Sequence, residues 1–214
     1  MRFEPKKHHR RSIRLKDYDY RQSGAYFVTV VTQARMSLFA NVNDGQLQLN
    51  DAGQMVQTCW REISEHYPGV VTDVFIVMPN HVHGIIFLVG AGPRACPSEV
   101  GQPRGVAPTL SLPDIVQRFK SLTTKRYSEG VRKLQRSSFP ARLWQRNYYE
   151  HVIRDEQSLN RIREYILNNP AQWAFDPENP AATAAEPPDT WRLQERREDK
   201  GDRPVAPTKD VRNT

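Results

Sequence analysis

The sequence predicts an α+β fold, a ferredoxin-like antiparallel sheet with helices packed on it, and three observations carry that prediction. Residues 25–32 (AYFVTVVT) are dense in β-branched and aromatic side chains, as a central strand is. Residues 71–78 and 81–89 are two further apolar runs separated only by Pro79-Asn80, so they pair as a hairpin. Around these runs, apolar residues recur at three- and four-residue steps, the period of helices with one buried face. The resulting order is strand, hairpin, helix, strand, strand, helix, strand, helix.

Each element has its own local reason. Asp44-Gly45 supplies the positive φ angles of a tight turn between short strands at 37–40 and 46–49. Asn50 and Asp51 are cap candidates for a helix with Val56, Cys59, Trp60, Ile63 and Tyr67 on its apolar stripe, ended by Pro68-Gly69. Ser111-Leu112-Pro113-Asp114 opens a second helix that turns Ile115, Phe119 and Leu122 inward and Arg118, Lys120 and Lys125 elsewhere. Residues 143–153 (LWQRNYYEHVI) read as a strand, with a helix as the alternative. Asp155 caps a last helix with Leu159, Ile162 and Ile166 on its stripe. That helix finishes by Asn169, whose geometry is only approximately helical because Pro170 disfavours α angles in the residue before it.

The domain implied spans residues 17–175. It is preceded by a basic arm at 1–16 and interrupted at 90–108, where four Gly and four Pro read as a flexible insertion. Residues 176–214 carry six of the 16 prolines, with nine acidic against seven basic side chains, and are expected to be a disordered tail. Cys59 and Cys96 lie far apart and outside any CxxC pair, which excludes a disulfide framework and a thiolate zinc site. No apolar run is long enough to span a bilayer, and the first residues lack the apolar centre of a signal peptide. The expectation is a cytoplasmic protein that makes no membrane contact.

Net charge is +7, concentrated in two blocks. Residues 1–16 carry seven Lys or Arg against Glu4, and residues 118–146 carry nine against Glu129. Such clusters fit a polyanion, because cations that neutralise phosphates release condensed counterions.

The chemical signal is Met78-Pro79-Asn80-His81-Val82-His83-Gly84. On a strand, side chains two apart share a face, so His81 and His83 point together and can chelate one metal, while Val82 enters the opposite side. Gly84 lets another backbone or a substrate approach closely. Two nitrogens leave most coordination positions unfilled, so a third ligand is required. The last helix offers Tyr165 and Asn169, four apart on one side, which pairs a phenol with an amide. Packing with a wet hydroxyl is the competing role for Tyr165.

Taken together, residues 24–29 (GAYFVT), 77–84 (VMPNHVHG), 144–151 (WQRNYYEH) with 153–156 (IRDE), and 165–170 (YILNNP) resemble the REP-associated tyrosine transposases of the single-tyrosine HUH family. The resemblance runs in order over residues 10–175. It implies a ferredoxin-like HUH domain that cleaves and rejoins single-stranded DNA hairpins from repetitive extragenic palindromes. It implies further that His81 and His83 hold a divalent metal, Mg²⁺ or Mn²⁺, that Tyr165 is the nucleophile, and that Asn169 stands at the remaining ligand position. Insertion-sequence relatives carry glutamine at that position, and asparagine is shorter.

For recognition, Arg10, Arg11 and Arg14 are expected to grip phosphates or bases beside a hairpin stem, and Arg118, Lys120 and Lys125 to follow the backbone. Tyr148 and Tyr149 are either core or base-stacking residues, and Tyr149 is the rival nucleophile. Monomer and homodimer are both compatible with the sequence, and nucleoid association follows from the DNA partner. Two other functions are open: a DNA-hairpin-binding protein without catalysis, and a histidine-triad hydrolase, which would need a further histidine where Ile85 stands.

Overall fold

A computed structural model describes residues 18–89 and 110–182. The basic arm with Arg10, Arg11 and Arg14, the insertion at 90–108 and most of the acidic tail lie outside the described residues.

The main sheet has four antiparallel strands, β1 (Gly24–Val31), β4 (Val70–Val77), β5 (His81–Leu88) and β6 (Tyr149–Ile153), in the order β4-β5-β1-β6. Short strands β2 (Ala40–Asn43) and β3 (Gln46–Leu49) form a separate hairpin. Its turn sits on Asp44 (φ 51°) and Gly45 (φ 72°), the backbone its Asp-Gly pair demands. The first strand of this hairpin begins at Ala40 rather than at residue 37, because Leu38 and Phe39 instead donate their backbone N–H groups to Pro79 O.

Helices α1 (Asp51–His66) and α2 (Leu112–Leu134) cover one face of the sheet, and α3 (Glu156–Asn168) covers part of the other. Alternation along the strands divides the core accordingly. Tyr26, Val28, Val30, Val82 and Ile86 pack with Val56, Trp60, Ile115 and Phe119 from α1 and α2. Ala25, Phe27, Ile85 and Ile153 pack with Leu159, Ile162, Tyr165 and Ile166 from α3. Each helix starts on a side-chain cap. Asn50 accepts from Gly53 N, Ser111 and Asp114 form a reciprocal capping box, and Asp155 accepts from Ser158 N. The Ser158 backbone N–H holds the Asp155 carboxyl below its ordinary range.

Only the second half of the strand expected at 143–153 forms. Residues 143–148 are instead a fixed loop joined to the end of β1 by a bridge between Thr32 and Trp144. The Trp144 indole N–H donates to Thr123 Oγ1 (2.8 Å), which turns that segment towards α2 and out of the ladder. Gly84 also differs from its sequence reading. Its open side faces the Trp60 indole and Phe75, not a substrate path, because it alternates with His83 onto the α1 face.

Candidate active site

His81 and His83 point to the α3 face of β5 and are fully buried. Strand pairing sets His83 opposite Thr29 of β1, and Thr29 Oγ1 lies 2.8 Å from His83 Nδ1. Asn80, at the hairpin turn, directs its amide nitrogen to the carbonyls of Arg35 (3.2 Å) and Glu178 (2.6 Å). Its Oδ1 therefore faces His81 Nδ1 at 2.8 Å and accepts a hydrogen bond from its N–H. These contacts aim the two Nε2 atoms at each other, 3.0 Å apart. With Nδ1 protonated, the neutral His81 ring carries its lone pair on Nε2, the form that binds a metal.

The second site element is the continuous stretch formed by α3 and the 3-10 segment Asn169–Phe175. Tyr165 is buried with its ring centroid 5.4 Å from that of His83 and 6.2 Å from that of Phe27. Arg163, on the same helix, bonds Asp73 at 2.7 Å and docks α3 onto β4 beside its register shift. Asn169 keeps helical angles (φ −56°, ψ −38°), since Pro170 lies in the first turn of the 3-10 segment rather than breaking the chain away. Its amide nitrogen donates to Asp176 Oδ2 (3.1 Å), while its buried Oδ1 has no hydrogen-bond partner among the described residues.

Asp176 is the residue sequence reasoning missed. It is buried, its Oδ2 lies 3.7 Å from His81 Nε2, and with His81 and His83 it forms a group able to hold a metal ion. The expected tail boundary at 176 thus falls on an ordered part of the site: Glu178 N donates to Asp176 Oδ1, and Arg35 pairs with the Glu178 carboxylate. Bulk composition concealed this. The one local signal was an acid following Trp173 and Phe175, aromatics able to pack the segment down; the Trp173 ring centroid lies 5.9 Å from that of His81.

His81, His83 and Asp176 form a donor set able to hold a metal ion. The two Nε2 atoms lie within hydrogen-bond distance of each other, 3.0 Å, close enough for one ion to meet both lone pairs. The Asp176 carboxylate adds an oxygen donor to the two imidazole nitrogens.

The other expected residues fall in two groups. Arg118 and Lys125 are exposed on α2, Arg118 also lying over the Tyr67 ring. Lys120 is half-buried, and its Nζ donates to the carbonyls of Gln145 (3.1 Å), Arg146 (3.4 Å) and Asn147 (3.0 Å). Tyr148 is buried, whereas Tyr149 is 42% exposed and meets Phe27 edge-on, on the histidine face. Among the described residues no helix is long and apolar enough to cross a membrane.

The family described as "Transposase IS200 like" matches residues 105–169, the stretch that carries Tyr165 and Asn169 and lies downstream of the histidine pair. A protein of Haemophilus influenzae Rd, itself uncharacterised, is 43% identical over 176 residues, covering 79% of this chain and 92% of its own length. A second H. influenzae protein, provisionally named a REP-associated tyrosine transposase, is 24% identical over 157 residues, covering 73% of this chain and 76% of its own. Among solved structures, a REP-associated tyrosine transposase bound to a REP hairpin superposes with a TM-score of 0.50 at 18% identity, covering 76% of this chain and 74% of the other.

Proposed function

We propose that this chain, which belongs to the IS200-like transposase family, is a metal-dependent single-stranded DNA endonuclease and strand transferase that acts on REP hairpins through a covalent 5′-phosphotyrosine intermediate. The observation that carries the reading is the packing of the Tyr165 ring against His83, 5.4 Å between centroids, beside two convergent imidazoles.

In this mechanism Tyr165 gives its phenolic proton to water and attacks the scissile phosphorus. A bond forms between the tyrosyl oxygen and phosphorus, and the 3′ oxygen leaves with the electron pair of the broken bond and takes a proton from water. Phosphodiester energy is kept in the protein–DNA link, so rejoining needs no nucleotide cofactor. Thr29 and Asn80 fix the imidazole orientations, and Phe27 supports both His83 and Tyr165 from below. A divalent metal, Mg²⁺ or Mn²⁺, held by His81, His83 and neighbouring oxygen ligands would stabilise negative charge on the phosphate. Arg118 and Lys125 supply phosphate contacts along α2, and the N-terminal Arg10, Arg11 and Arg14 supply others. The protein acts in the cytoplasm at the nucleoid, as a monomer or homodimer.

The test incubates a labelled single-stranded REP hairpin with Mn²⁺ and then denatures the sample. Wild type and Tyr149→Phe yield a covalent adduct that survives denaturation, and Tyr165→Phe yields none while still shifting the hairpin in a native gel. An adduct from Tyr165→Phe, lost instead in Tyr149→Phe, reassigns the nucleophile. Salt-sensitive binding without any adduct from wild type leaves only a hairpin-binding protein.

A further inference from the structure

We infer that Asp176 is an anionic ligand of the metal, and that Asn169 acts on it as a positioning residue. This rests on the reading of the histidine pair as a metal site and concerns what completes it. Three observations converge. The Asp176 carboxylate is 2% exposed, and a carboxylate this buried needs a positive partner. Among the described residues the hydrogen-bond donors that reach it are neutral, the Asn169 amide and the Glu178 backbone N–H, and the group beside it that an ion would bridge is His81. Oδ2 lies 3.7 Å from His81 Nε2, and the three prospective ligand atoms of His81, His83 and Asp176 all lie within 4.8 Å of one another.

The chemistry explains why such a ligand is useful. Two neutral imidazoles leave a dication's charge uncompensated and, taken alone, suit zinc better than magnesium or manganese. A carboxylate supplies one negative charge and a hard oxygen donor, shifting the preference towards Mn²⁺ and Mg²⁺. Asn169 cannot turn its oxygen to Asp176 without placing two acceptors together, so the amide nitrogen faces the carboxylate and fixes its rotamer.

The experiment titrates the full-length protein, without DNA, with Mn²⁺ followed by the electron paramagnetic resonance of the free ion, and with Zn²⁺ by competition. Asp176→Asn weakens Mn²⁺ binding by more than the roughly 10- to 100-fold that loss of an outer-shell partner alone costs, and weakens Zn²⁺ binding distinctly less. The variant keeps the circular dichroism spectrum of the metal-free wild type, which shows that it is folded. Unchanged Mn²⁺ affinity overturns the inference, as does an equal loss for both metals, which marks a merely structural role. Unchanged Mn²⁺ affinity with tighter hairpin binding also overturns it, in favour of Asp176 acting as a stand-in for a DNA phosphate. His81→Ala is the separate control: if that variant keeps wild-type Mn²⁺ affinity, the histidine site itself fails, whatever Asp176 does.

Discussion

Replacing Gly84 by alanine tests whether the glycine beside the histidine pair serves packing or substrate. A Cβ there would fall inside contact distance of Trp60 Cζ2, 2.7 Å from Trp60 Cη2 and 2.8 Å from Phe75 Cδ2. The indole has nowhere to retreat. It stacks on Phe75 with centroids 4.3 Å apart and planes 11° apart, and Phe119 meets it edge-on at 5.5 Å. Forcing one methyl into such a wall costs about 1–3 kcal/mol. For a domain of this size each kcal/mol lowers Tm by about 2–4 °C, so Gly84→Ala should melt roughly 2–12 °C below wild type.

Thermal unfolding of Gly84→Ala, Trp60→Leu and the double variant separates the overlap from any general strand effect. Trp60→Leu is destabilising by itself but frees the space, so the added methyl becomes nearly harmless in that background. The two changes should couple favourably by about 1 kcal/mol or more. Hairpin affinity, measured well below the transition, stays at the wild-type value because Gly84 opens to the face opposite His81 and His83. A Gly84→Ala protein with unchanged Tm and weakened hairpin binding would refute the packing argument and restore the substrate-approach reading.

The basic residues of α2 should separate into two behaviours. Arg118→Ala and Lys125→Ala leave Tm unchanged and each reduce the salt slope of hairpin binding by about one, as a lost phosphate contact does. Lys120→Met instead lowers stability by about 1–3 kcal/mol in denaturant titrations, because three loop carbonyls lose a charged donor; a salt-slope change without that loss would return Lys120 to the DNA contacts. Asp155→Ala removes the cap of the helix that carries Tyr165 and costs about 1 kcal/mol at neutral pH. The Asp155 carboxyl titrates lower folded than unfolded, so its contribution is complete above about pH 4 and is lost as pH falls through the folded value. The wild-type and Asp155→Ala stability curves therefore converge in acid, and a gap that persists there contradicts the assignment.

What could be read without coordinates followed from periodicity. Two-residue alternation placed His81 and His83 on one face, and the helical step placed Tyr165 and Asn169 on one side of the last helix; both follow from a single element's own geometry. What escaped depends on which elements meet. Thr29 became a partner of His83 only through the register of β1 against β5, and Lys120 became a loop anchor only because residues 145–147 turn back over α2. Asp176 was hidden differently: averaged composition assigned it to a tail, whereas one buried acid is decided by its neighbours and not by the prolines that follow it.

That acid also changes how the site holds together. Tyr165, Asn169 and Asp176 ride on one uninterrupted piece of chain, α3, its 3-10 extension and the residue that caps it, while His81, His83 and Thr29 belong to the sheet and Asn80 to the turn that leads into β5. Beyond the apolar packing of α3 on the sheet, the two halves meet at the site itself: Tyr165 on His83, Trp173 on His81, Asp176 beside His81, and the Glu178 carbonyl on Asn80. An ion ligated from both halves would cross-link them at the point where the phenol meets the phosphate. Metal binding and nucleophile placement would then be one event, so that stripping the ion loosens Tyr165 as well as removing a Lewis acid.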